Sequence, residues 1–176
     1  MDDSVALLRR KLPGILPRLR RFARTLARNA PDADDLVQNA LERALARAAQ
    51  WRPPPAGATP AQVEGAVRSW MFGIMKNAWI DNRRARARER LVAAGDERLA
   101  EIPGDTGAAL QDGLSVAAAM QQLPDEQRLA VALVLVEGLS YQQAASVMEV
   151  PVGTLTSRLS RGREALARLL GGEPAR

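Results

Sequence analysis

From Leu16 to Arg28 the apolar residues Leu16, Leu19, Phe22, Ala23 and Leu26 recur every three or four positions, the spacing of one helix face. A shorter helix over residues 4–11 precedes it, and Pro13 and Pro17 are expected to break the chain between the two. Leu36, Val37, Ala40, Leu41, Ala44 and Leu45 predict a helix running to about Gln50. Val67, Trp70, Met71, Ile74, Met75, Ala78 and Trp79 form the broad apolar band of a long third helix over 63–90. The pattern returns in "VAAAMQQL", and Pro124 with Asp125 and Glu126 opens a further helix that Gly138 ends. Ser140 caps "YQQAASVM", and a last helix starts at Gly153 or Thr154 and runs to about Leu170. Runs of β-branched residues are short and strong helix formers fill nearly every window, so the expected fold is all-α.

Two stretches interrupt the helices. "WRPPPAGATPAQ" at 51–62, with three consecutive prolines, is a loop with an extended start. Residues 93–113, "AAGDERLAEIPGDTGAALQDG", are acidic and nearly free of aromatics, which predicts a flexible linker. They divide the chain into two small helical domains, 1–92 and 116–172, joined by an acidic segment over 93–115.

Charge follows the same division. Residues 1–92 carry 18 Lys+Arg against 9 Asp+Glu, residues 93–115 carry 1 against 5, and residues 116–176 carry 6 against 6. A basic first domain favours phosphate backbones or acidic membrane surfaces. With no cysteine and no histidine in 176 residues, disulfides, Cys/His zinc sites and His- or Cys-dependent catalysis are excluded. No pair of polar groups is arranged for acid–base or nucleophilic work, so no enzyme, metal or cofactor is expected. Arg9, Arg10 and Lys11 interrupt the early apolar residues, so neither a signal peptide nor a membrane span is expected, and the location expected is the cytoplasm.

Residues 140–168 fit a helix-turn-helix. Ala144 and Ala145 are small enough for a close helix crossing, and Val147, Val150 and Leu155 fill the angle between the helices. The second helix is expected to bury Leu155, Leu159, Leu166 and Leu169 or Leu170. Its outward residues near the start are Thr154, Thr156, Ser157, Ser160 and Arg161, with Arg158 and Arg163 set to touch phosphates or to pack. A recognition helix uses these first turns to reach base edges in the major groove. The plainer alternative is an αα-hairpin with a polar face.

"LPDEQRLAVALVLVEGLSYQQAASVMEVPVGTLTSRLSRGREAL" resembles region 4 of bacterial RNA polymerase sigma factors of the extracytoplasmic-function (ECF) group. "DADDLVQNALERAL" is similar to their region 2.2, and "WMFGIMKNAWIDNRRARAR" to regions 2.3 and 2.4. Three such motifs in the right order around an acidic linker are specific together, where one alone is weak.

The resemblance implies roles. The region 2.2 helix docks on the clamp helices of the polymerase β′ subunit through Asp35, Gln38 and Glu42, an acid–amide stripe suited to a basic partner. Asp32 and Asp34 are read as helix capping. The third long helix and the loop before it read the −10 element as separated strands, with Asn77 lining the pocket for an extruded base. Arg83, Arg84, Arg86 and Arg88 are expected on phosphates, giving affinity rather than sequence choice. Thr154, Thr156, Ser157, Arg158, Ser160, Arg161 and Arg163 fall on the −35 element, and region 4 also meets the β flap. Trp70 and Trp79 are read as core. The scarcity of aromatics implies a restricted promoter set, and an anti-sigma factor, possibly membrane-bound, is the implied regulator. The rival readings are a conventional helix-turn-helix regulator that does not join polymerase and a purely protein-binding adaptor. The first does not need the DDLVQ block or the linker, and salt-sensitive, sequence-specific promoter binding by the holoenzyme would exclude the second.

Overall fold

A computed structural model describes residues 3–93 and 115–171, and these are helical throughout apart from short turns and loops. The acidic linker expected over 93–115 therefore lies outside the described residues except at its ends. Helix α1 spans Asp3–Leu26, α2 Ala30–Ala46 and α3 Pro60–Ala93. Helix α4 spans Val116–Gln122, α5 Asp125–Val131, α6 Tyr141–Met148 and α7 Val152–Leu169.

The break expected at Pro13 and Pro17 is absent: both prolines lie inside one 24-residue helix. They sit four residues apart on its exposed side, so the carbonyls that lose a donor can turn to water. The opposite face buries Leu8, Leu12, Ile15, Leu19, Phe22 and Leu26. At about 1.5–3 kcal/mol per buried large side chain, that stripe outweighs the ~3 kcal/mol of an interior proline. Asn29, not Asp32, caps α2: its Oδ1 accepts from the Asp32 backbone N–H at 2.8 Å. The helix stops at Ala46, short of the expected Gln50, and a 3₁₀ turn over Ala48–Gln50 leads to Trp51.

Trp51 is buried and tilts against Trp70, with ring centroids 6.4 Å apart. That contact anchors the proline loop at its base. Thr59 and Gln62 then exchange two bonds, Thr59 N–H to Gln62 Oε1 at 2.8 Å and Gln62 N–H to Thr59 Oγ1 at 3.3 Å. This capping box starts α3 at Pro60, earlier than periodicity alone indicates. Trp79 is core as expected, whereas Trp70 is only partly buried. Phe22 meets Phe72 at 4.7 Å where α1 crosses α3.

Helices α4–α7 form a second bundle. A π-turn over Ala132–Val136 continues α5, closed by Glu137 N–H to Ala132 O at 3.0 Å. The close crossing of α5 and α7 depends on Gly162, where an added Cβ would lie 2.8 Å from a Val131 methyl. Leu155 and Leu159 are buried as expected, but Leu166 is only partly covered and Leu170 is exposed.

The two bundles pack on each other: α1 lies against α4 and the π-turn, and α3 lies against α6. Arg21 holds Glu137 with both ends of its guanidinium, Nε to Oε1 at 2.8 Å and Nη2 to Oε2 at 2.9 Å. Gln121 donates to the carbonyls of Thr25 and Ala27 at the end of α1. Arg128 donates to Leu26 O across the seam and to Gln121 and Leu123 on its own side. Among the described residues no helix is long and apolar enough to cross a membrane.

Candidate functional site

Three surfaces carry the residues that the sequence singles out. The first is on α2. Leu36, Val37 and Ala40 turn inward, so Asp35, Gln38 and Glu42 share the exposed side. Gln38 Nε2 donates to Glu42 Oε1 at 3.0 Å, which fixes the amide and leaves the Asp35 carboxylate open. The stripe is short, acidic and preorganised on a helix whose other face is locked in the core.

The second surface is α6–turn–α7. Ser140 and Gln143 form a capping box: Ser140 Oγ accepts from Gln143 N–H, and Gln143 Oε1 from Ser140 N–H. Ala144, Ala145 and Val147 are buried and Val150 is half-buried, filling the angle between the helices. Helix α6 ends at Glu149, which adopts the left-handed conformation (φ 57°, ψ 44°) that glycine or asparagine usually supplies. Pro151 then precedes α7 in an extended conformation. Thr156, Ser157, Ser160, Arg161 and Arg163 are exposed, and Thr154 is partly so. Their bonds stay within the helix: Thr156 to Val152 O, Ser157 to Gly153 O, Ser160 to Glu164, and Arg161 Nε to Ser157 O. Arg158 differs, because it pairs with Glu126 of α5 at 2.8 Å and is mostly covered, so it braces the bundle.

The third surface is the second half of α3. Arg84 and Arg88 are exposed. Arg83 and Arg86, expected on phosphates with them, have carboxylate partners here. Arg83 pairs with Asp125 of α5 and lies over the Trp79 ring at 5.3 Å. Arg86 binds Asp32 through both terminal nitrogens, Nη1 at 2.7 Å. That bond holds the Asp32 carboxyl below its usual 3.8 and raises the Arg86 guanidinium. Asp32, read as a cap, thus serves as the acceptor that ties α2 to the far end of α3.

Asn77 is exposed and lines a cleft of about 350 Å³. Arg47, Gln50 and Trp70 are on its near wall, and Ser146, Val147 and Glu149 of α6 close the other side. Next to Asn77, Lys76 is buried and its Nζ meets Glu149 Oε1 at 2.8 Å.

Sequence reasoning missed Lys76, Glu149, Arg21, Glu137 and Arg128. Arg21, Glu137, Lys76 and Glu149 have partners 70 or more residues away, and Arg128 donates to backbone carbonyls and the Gln121 amide oxygen, so no pattern of charges along the chain exposes them. Burial pushes the Arg128 guanidinium down to about 10, against the pull of Asp125. Among the described residues no group of carboxylates is placed to hold a metal ion.

Residues 113–166 match the family model for sigma-70 region 4, and residues 13–76 match that for the Sigma2 domain of PhyR. The chain is 38% identical over 165 residues to the ECF RNA polymerase sigma factor EcfG of Rhodopseudomonas palustris, covering 93% of this chain and 84% of that one. It is 36% identical to the ECF sigma factor SigM of Mycobacterium tuberculosis, covering 87% and 71%. Among solved structures it is similar to the sigma factor RpoE of Bartonella quintana, crystallised with the anti-sigma factor NepR. That match has a TM-score of 0.70 and 32% identity and covers 93% of this chain and 96% of that one. CnrH, solved with the cytosolic domain of CnrY, shares the fold at a TM-score of 0.62 and 21% identity over 97% and 98% of the two chains. A two-bundle helical chain with a capped helix-turn-helix and these relatives belongs to the ECF RNA polymerase sigma factors.

Proposed function

We propose that residues 1–92 and 116–172 are the two working units of a promoter-specificity subunit, joined by the acidic segment 93–115. Asp35, Gln38 and Glu42 dock on the basic clamp helices of the polymerase β′ subunit, and the second unit meets the β flap. Asn77 and the face of α3 around it take an unpaired −10 base, while Arg84 and Arg88 hold phosphates. Thr156, Ser157, Ser160 and Arg161 read the −35 element in the major groove, with Thr154 and Arg163 beside them. Arg83, Arg86 and Arg158 act first through their carboxylate partners, and they reach phosphate only if those pairs open.

One observation supports this reading above the others. Thr156, Ser157, Ser160 and Arg161, on the outer side of the first turns of α7, stay exposed and hydrogen-bonded only within that helix, while Leu155 and Leu159 on its inner side are packed. A structural hairpin has no need of such a face. An anti-sigma factor acting on this chain follows from the same reading, since RpoE, to which it is similar over 93% of its length, was crystallised with one. The chain works in the cytoplasm, where polymerase and promoter are.

The test is core polymerase binding by the wild-type chain and by an Asp35→Arg/Glu42→Arg variant. Wild type should form holoenzyme, and the charge-reversed chain should bind at least tenfold more weakly while unfolding normally. Equal binding would remove the α2 stripe from the interface.

A further inference from the structure

Lys76 is the covered cation beside the base-reading position. Its side chain is 6% exposed, whereas that of its partner Glu149 is 73% exposed. Burying an ammonium is unfavourable unless an anion meets it. Here the anion comes from the other bundle, from the residue that ends α6. Glu149 holds a left-handed backbone conformation that disfavours a side chain, and Lys76 is its hydrogen-bonding partner. The same approach brings Ser146 and Val147 over the cleft that Asn77 lines.

On the proposed reading of α3, we infer that Lys76 is a phosphate contact for the separated promoter strand and that Glu149 occupies it in the closed chain. A carboxylate and a phosphate oxygen ask the same of an ammonium: a short, charge-assisted bond. One residue on, Asn77 takes the base that the phosphate carries. Region 4 therefore competes with DNA for the region 2 surface.

Closure needs no second protein. Arg21 with Glu137, Gln121 with the end of α1, and Arg128 with Leu26 O all lie within this chain. The closed form also cannot reach both promoter elements. These are separated by about 25 base pairs, roughly 85 Å at 3.4 Å per pair. The described residues, packed as one body, have a radius of gyration of about 15 Å. Polymerase must draw the bundles apart, and doing so frees Lys76 for the strand.

The experiment uses the full chain. It has no cysteine, so cysteines introduced at exposed Ala6 and Leu170 take a dye pair without competition. Energy transfer reports closure, and a labelled oligothymidylate 20-mer reports strand binding independently of sequence. Glu149→Gln and Glu149→Gly should both lower transfer and tighten the oligonucleotide a few-fold; the glycine variant also relieves the backbone. Lys76→Gln should lower transfer equally but weaken binding, and should reduce the slope of log K against log salt by about 0.7, one single-strand phosphate contact.

Unchanged transfer in both Glu149 variants would overturn the latch. An unchanged salt slope in Lys76→Gln would overturn the phosphate contact. Failure of the wild-type holoenzyme to select promoters would instead sink the functional reading on which both rest.

Discussion

The two helices proposed to face DNA, α7 and α3, are treated in opposite ways. Helix α7 offers Thr156, Ser157, Ser160 and Arg161 to solvent, bonded only within the helix. On α3, Lys76 is covered and Asn77 sits in a cleft half-walled by α6. On the proposed reading the helix-turn-helix meets duplex DNA as it stands, whereas the α3 face around Asn77 must first be uncovered. The difference is electrostatic in origin. The first bundle is strongly basic, and the second supplies Glu137, Glu149 and Asp125 to its Arg21, Lys76 and Arg83. The α7 hydroxyls have no such charge to be claimed.

The largest expected effect on this arrangement is at the seam. Replacing Arg128 with Met leaves the carbonyls of Leu26, Gln121 and Leu123 short of donors in a buried place, and should destabilise the chain by about 3 kcal/mol. Denaturant unfolding measures it, and a loss under about 1 kcal/mol would show that water replaces the guanidinium. Arg161→Ala leaves the seam untouched. It should weaken promoter-specific binding by about 1–3 kcal/mol and relax preference at one −35 base pair, if the side chain reaches a base. Binding assays over single-base promoter variants would reveal an unaltered preference.

Gly162→Ala sharpens the comparison from inside. The new methyl meets Val131 at 2.8 Å and Gln127 O at 3.3 Å, so overpacking of about 1–3 kcal/mol opposes the ~1 kcal/mol helix gain. A lower melting temperature and weaker −35 binding together would show that the α5–α7 crossing positions the reading face. The smallest effect concerns acid. The Asp32 carboxyl titrates below 3.8 in the folded chain because Arg86 holds its charged form. Its contribution is therefore present above the unfolded value and is lost as pH falls through the lowered one. Asp32→Asn should reduce stability at neutral pH, and its difference from wild type should vanish at strongly acid pH. A difference that persists there would assign the effect to packing.

Much of this was legible in the chain. The periods of α2, α3 and α7, the Ser140 cap and the small pair Ala144–Ala145 are local signals, and each led to its element. The α2 stripe and the α7 face were equally legible, because exposure there follows from which neighbours are apolar. Pro13 and Pro17 misled, since a breaker rule cannot weigh an unbroken buried stripe from Leu8 to Leu26. Two of the arginines have partners that the sequence hides. Their density suggested phosphates, but Asp32 and Asp125 that claim Arg86 and Arg83 are distant in sequence. The closed packing of the bundles was invisible for the same reason, as it rests on pairs such as Arg21–Glu137 that only the fold brings together.

The central claim is that this chain gives core polymerase a two-part promoter preference. Transcripts made from genomic DNA by core polymerase reconstituted with the chain test it directly. The account predicts discrete start sites that share paired −10 and −35 elements, vanish with Asp35→Arg/Glu42→Arg and shift in −35 preference with Arg161→Ala. Start sites indistinguishable from those of core polymerase alone would contradict it.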